Sequence, residues 1–166
     1  MKTFEEYQNI GDEKWARGLY AWARQNYLHA IFAYEGEESY EGREDDPDID
    51  FEFYLRLAEC HRATGDIKYA LNCYERAMVK VGNDKLMQSL ILSERAKMWM
   101  GTRLEERALF DIRAAKKNLA GVNDFDLVEL KEMLAAEIER QVESVCRSVY
   151  GQEQSWPASE PALMPA

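Results

Sequence analysis

Between residues 51 and 84, apolar and small side chains recur with the period of a helix. They fall at Tyr54, Leu57, Ala58 and His61, and again at Ile67, Ala70, Leu71, Tyr74, Ala77 and Met78. A 3.6-residue period gathers each set on one face. Thr64-Gly65-Asp66 lies between the sets, where Gly can end one helix and Asp can cap the next. Two helices joined this tightly must run antiparallel. Ala58 and Ala70 are small enough to let their backbones approach.

The same spacing returns on both sides. Downstream, Ala96, Ala108, Ile112 and Ala115 take the places of Ala58, Ala70, Tyr74 and Ala77, with Leu92 for Tyr54 and Trp99 for His61. Gly101 then sits two residues early for the turn. Upstream, Gly18, Ala30 and Tyr34 match Ala58, Ala70 and Tyr74, and the phrase ARQNYLHAIFAY parallels ATGDIKYALNCY. That register leaves Lys14 and Arg17 where apolar residues belong. A slip of one residue puts Trp15, Leu19 and Trp22 there instead. The expected repeats are about 11–44, 51–84 and 89–122, within one domain over 1–150.

Residues 125–149 carry a single stripe of Leu127, Leu130, Leu134, Ile138, Val142, Val145 and Val149, with Asn123 or Asp124 available as a cap. Repeat arrays need a last helix that covers an apolar face and offers a polar one to water. The stripe fits that role, or pairing with the same helix of a second chain in a homodimer. Residues 151–166 are rich in Pro, Ala and Ser and are expected to be a disordered tail.

The segment 51–84 resembles a tetratricopeptide repeat. That family asks for an aromatic residue, a Leu-small pair, a bulky residue, Gly-Asp, and then Ala, aromatic and Ala. Here those are Tyr54, Leu57-Ala58, His61, Gly65-Asp66, Ala70, Tyr74 and Ala77, with Gly82 replacing the final Pro. The resemblance implies an all-α fold of three stacked antiparallel helix pairs with a C-terminal capping helix. It also implies a concave groove lined by the first helix of each pair.

Aligning the copies places Trp15, Leu19 and Trp22, then Leu55, Glu59 and Arg62, then Ser93, Lys97 and Met100 along that groove. Trp15 and Trp22 fit ordinary core packing as well. Many tetratricopeptide co-chaperones grip a C-terminal carboxylate with a clamp of Lys and Asn residues; here the matching places carry Trp15, Leu19, Leu55, Glu59, Ser93 and Lys97, and that clamp is missing. Apolar anchors for an extended or helical peptide fit better. The layout is also similar to the small chaperones that hold translocator proteins in bacterial type III secretion.

Composition and charge narrow the function. The chain has 166 residues, 46% of them hydrophobic and 11% aromatic, enough for a real core. Its net charge of −10 works against nucleic acid and anionic membrane as partners. Residues 1–50 carry 13 acidic and 5 basic side chains, with the acid concentrated in 35–50. Residues 85–122 carry 8 basic and 4 acidic side chains, a basic island in an acidic protein. The acidic run reads as a solvated loop in which Asp48 or Asp50 caps the next helix. Its other reading is an acidic docking patch, which would make the chain an inhibitor or nucleic-acid-mimicking decoy blocking a basic site on its target.

No apolar run is long enough to span a bilayer, and the N-terminus lacks a signal-peptide pattern. Cys60, Cys73 and Cys146 are too few and too scattered for a disulfide framework, so a reducing cytoplasm is expected. The two histidines, His29 and His61, sit within helical patterns and read as packing residues. No phosphate loop, metal-ligand spacing or nucleophile motif is present, so no enzyme activity, cofactor or metal is expected. The expected function is to bind a protein or peptide partner.

Overall fold

The computed structural model describes residues 2–37, 49–123 and 128–150, and among them it is wholly helical apart from turns. The helices are α1 (Phe4–Ala16), α2 (Tyr20–Glu37), α3 (Phe51–Ala63), α4 (Ile67–Val81), α5 (Lys85–Gly101), α6 (Glu105–Ala120) and α7 (Val128–Tyr150). The all-α expectation therefore stands. The chain divides into two compact units, Met1–Asp84 with α1–α4 and Lys85–Ala166 with α5–α7.

Helix starts follow local chemistry. Thr3 and Glu6 form a reciprocal capping box on α1: the Glu6 amide donates to Thr3 Oγ1 at 3.3 Å and the Thr3 amide donates to Glu6 Oε2 at 2.9 Å. Asp50 caps α3 by accepting from the Phe53 amide at 2.8 Å. Asp66 precedes α4 but makes no side-chain cap. Its carboxylate instead takes the Arg24 guanidinium of α2, which also donates to Thr64 Oγ1 at 2.7 Å.

Consecutive helices pack in pairs, α1 with α2, α3 with α4 and α5 with α6. Each pair is joined by three residues whose middle member has a left-handed backbone: Gly18 (φ 70°), Gly65 (φ 85°) and Arg103 (φ 59°). The turns close identically. The amide after the left-handed residue reaches back to a carbonyl of the first helix, Leu19 to Lys14 at 2.9 Å, Asp66 to His61 at 2.8 Å and Leu104 to Trp99 at 3.0 Å.

This common turn corrects the register read from sequence for the first pair. Gly18 is the counterpart of Gly65, not of Ala58, because a left-handed residue ends a helix and cannot pack inside it. Gly11, Ala23, Tyr27 and Ala30 then take the places of Ala58, Ala70, Tyr74 and Ala77, and all eight are buried. Leu19 accordingly lies in a turn and Trp22 on the second helix of its pair. In the third pair Ala96, Ala108, Ile112 and Ala115 are buried where the sequence puts them.

Arg103, not Gly101, holds the left-handed position of the α5–α6 turn. A side chain there costs about 1–2 kcal/mol that glycine avoids. Part of the gain from glycine is lost to its greater freedom when unfolded. Arg103→Gly is therefore expected to stabilise by about 0.5–1 kcal/mol in a thermal melt, whereas Arg103→Ala gives no such gain.

Helix α7 lies along α6 and α5. Leu134, Ile138, Val142 and Val145 of the sequence stripe are buried, as is Gln141, whose Nε2 donates to Ser93 Oγ at 2.9 Å and to the Ser93 carbonyl at 3.2 Å. Leu130 and Val149, toward the ends of the stripe, are exposed. Leu127, Asp124 and the tail 151–166 lie outside the described residues. No described helix is long and apolar enough to cross a membrane.

Candidate functional site

The nine groove residues expected from sequence fall into three groups. In the first unit, Trp15, Glu59 and Arg62 come together where the end of α1 meets α3. The Trp15 indole donates to Glu59 Oε2 at 2.7 Å, and the Arg56 guanidinium lies over its ring at 5.3 Å. Glu59 also accepts from the Tyr20 hydroxyl at 3.4 Å and faces Arg62 Nη2 at 3.6 Å. The negative charge of Glu59, and then burial, pushes the Tyr20 phenol up. Trp15 is thus half-buried and held on a carboxylate, closer to a packing role than to a free anchor. Leu55 is half-buried on α3.

In the second unit, Lys97 and Met100 lie on the side of α5 beside α7, around a shallow depression completed by Glu137, Arg140, Gln141 and Ser144. Lys97 Nζ meets Glu94 at 2.8 Å and Glu137 at 3.2 Å. Burial works to lower the Lys97 pKa, but Glu94 and Glu137 outweigh it and hold the ammonium above its usual value. Ser93 of the same face is buried under Gln141.

Leu19 and Trp22 remain in the open. Trp22 is 65% exposed on α2, and two side chains that sequence reasoning passed over, Leu28 and Phe32, are exposed on that helix too. Phe32 is 63% exposed. Successive residues turn by about 100° on a helix. Leu28 and Phe32 therefore project together, with Trp22 along the margin of the same solvent-facing side. Ala23, Tyr27, Ala30 and Ala33 cover the opposite, buried side. The signal was partly present: α2 carries apolar residues on its exposed side as well as its buried one, interrupted there by Gln25 and His29.

His61 is buried, stacks on Tyr69 with centroids 5.5 Å apart and has Nδ1 at 3.8 Å from Asp66. Burial first and the Arg24 charge second depress its pKa, against the pull of Asp66. The unfolded chain therefore takes up this proton near pH 6.5, before the folded chain does. The stability from keeping His61 neutral is complete above pH 6.5 and falls as acid takes the pH below it. Melting wild type and His61→Phe side by side from pH 7.5 to 5 is expected to show a steeper acid loss in wild type.

His29 stacks on Tyr7 at 5.4 Å. Burial raises the thiols of Cys60 and Cys73 to about 12, so both stay protonated and poorly nucleophilic at neutral pH. Among the described residues no three His, Cys, Asp or Glu side chains gather as metal ligands. Most of the acidic run, residues 38–48 with Glu38, Glu41, Glu44, Asp45, Asp46 and Asp48, lies outside the described residues. Compared with models of known protein families, with curated proteins and with solved structures, the chain matches none.

Proposed function

We propose that this chain is a protein-binding module of tetratricopeptide-like helix pairs, which holds an apolar helix or extended peptide of a partner protein. The observation that carries this is the exposed apolar side of α2, with Trp22 and Phe32 each about two-thirds in solvent. Exposed apolar patches mark interaction sites, and buried aromatics dominate binding energy where partners meet. The repeated turn and the recurring register of Ala, a bulky residue and Ala support the helix-pair assignment. They also fit the likeness to chaperones that hold translocator proteins. The docking side proposed here is that of Trp22, with Leu19 beside it in the turn. Trp15, Glu59, Arg62 and Lys97 serve to fix the helices.

The test is a quantitative pull-down from the native host with wild type and the Trp22→Ala/Phe32→Ala double variant, each checked for helicity and melting temperature. The partner's affinity is expected to fall by about 30-fold or more, since one hot-spot aromatic contributes about 2 kcal/mol. Raising salt is expected to change it less than tenfold, because apolar burial is not screened. Unchanged binding by a folded double variant would remove α2 from the function.

A further inference from the structure

The basic island in the sequence becomes a surface in the structure. On α6, Arg107, Phe110, Arg113 and Lys117 follow one another at intervals of three or four residues, which places them along one side of the helix, and Arg103 lies in the turn just before it. This side is opposite the one on which Ala108, Ile112, Ala115 and Leu119 are buried. In the middle of the cations stands Phe110, 72% exposed.

Two further observations set this side apart from an ordinary solvated helix. On the flank toward α7, Lys116 is neutralised by Glu139 at 2.7 Å, and Glu105 accepts from Ser148 at 3.1 Å. Arg103, Arg113 and Lys117, by contrast, have no ion pair among the described residues. Arg107 is supported from below, because its guanidinium lies over the Trp99 ring at 4.9 Å and Trp99 in turn donates to the buried Asp111 at 3.0 Å. Positive charge, offset on this side by the exposed Glu106 one turn before Phe110, is thus presented around an exposed aromatic ring, in a chain whose net charge is −10.

We propose that this side of α6 is a second docking surface, and that it takes a short acidic peptide segment carrying an apolar side chain. Charge complementarity selects the acid, and Phe110 selects the apolar residue beside it. The helix offers only about 24 Å of length at 1.5 Å per residue. A segment of a few carboxylates matches that length. A nucleic acid strand would run beyond it onto a protein that is acidic as a whole, and repulsion there opposes binding.

The experiment uses the full chain and fluorescence anisotropy. The probe is a labelled twelve-residue synthetic peptide with four Glu spaced about a helical turn apart and two Leu between them. A peptide with Lys in place of Glu and a labelled single-stranded DNA serve as comparisons. The acidic peptide is expected to bind and to weaken as salt is raised. Arg113→Glu/Lys117→Glu is expected to weaken it at least tenfold and Phe110→Ser several-fold, with melting temperatures unchanged. Lys68→Glu on α4 and Trp22→Ala/Phe32→Ala are expected to leave it intact, which separates this surface from that of α2. Absence of binding, indifference to the α6 variants in folded protein, or equal or tighter binding of the DNA would each overturn the proposal.

Discussion

Replacing Asp111 with alanine is expected to destabilise the Lys85–Ala166 unit by about 3 kcal/mol, the largest effect of any single substitution considered. Asp111 is 1% exposed on α6. Its carboxylate receives two parallel bonds from Arg95 of α5, Nε at 2.8 Å and Nη2 at 2.7 Å, and a third from the Trp99 indole at 3.0 Å. Three donors on one buried carboxylate hold the two helices together. Alanine removes all three acceptor bonds. It strands the indole N–H in the interior and deprives the guanidinium of its bidentate partner. An ion pair as such is a weak source of stability, since an apolar pair of similar volume often serves as well. The double variant Arg95→Met/Asp111→Leu is therefore expected to cost less than Asp111→Leu alone. Urea unfolding followed by circular dichroism of the three variants gives the comparison. Equal losses in the single and double variants would mean that shape, not the buried charge, sets the cost.

The second large effect reverses what helix propensity alone suggests. Gly11 lies within α1, where alanine is ordinarily better by about 1 kcal/mol. In this fold a Cβ at Gly11 would meet the Tyr27 ring at 2.7 and 2.8 Å, closer than real Cβ contacts. The ring has no room to yield. Tyr27 is fully buried, its hydroxyl donates to Asp12 at 2.7 Å and its edge meets Phe53 with centroids 5.2 Å apart. Gly11→Ala is expected to lose about 1–3 kcal/mol through overpacking, more than propensity returns. The double variant Gly11→Ala/Tyr27→Leu, which replaces the flat ring, is expected to recover part of that loss. A thermal melt in which Gly11→Ala is more stable than wild type would contradict the α1–α2 packing described above.

Helices α3, α4 and α7 were legible because their apolar period is strong, and the third pair was legible to the residue because Ala96, Ala108 and Ala115 repeat the small positions of the second. The first pair was misregistered for a definite reason. Both Gly11 and Gly18 can stand in for a small packing residue, and only backbone conformation separates the one inside α1 from the one that ends it. The turn after α5 misled in the opposite way: a glycine was expected, and Arg103 adopts the left-handed conformation instead. The Asp111 cluster was hidden because an acidic residue in a charged helix reads as surface. Its partner Arg95 lies on another helix, and no spacing rule links them. The exposed side of α2 was half legible. Trp22 stood out, but on the wrong helix of its pair, and Phe32 did not stand out from its repeat phrase.

The open side of α2 is where a partner is expected to sit. A photo-crosslinking amino acid placed in turn at Trp22, at Phe32 and at Val79, an exposed apolar position on α4, tests this directly in the native host. The same single partner is expected to crosslink from positions 22 and 32 and not from 79. A partner that stays bound to all three proteins yet crosslinks only from 79, or equally from all three, would contradict it.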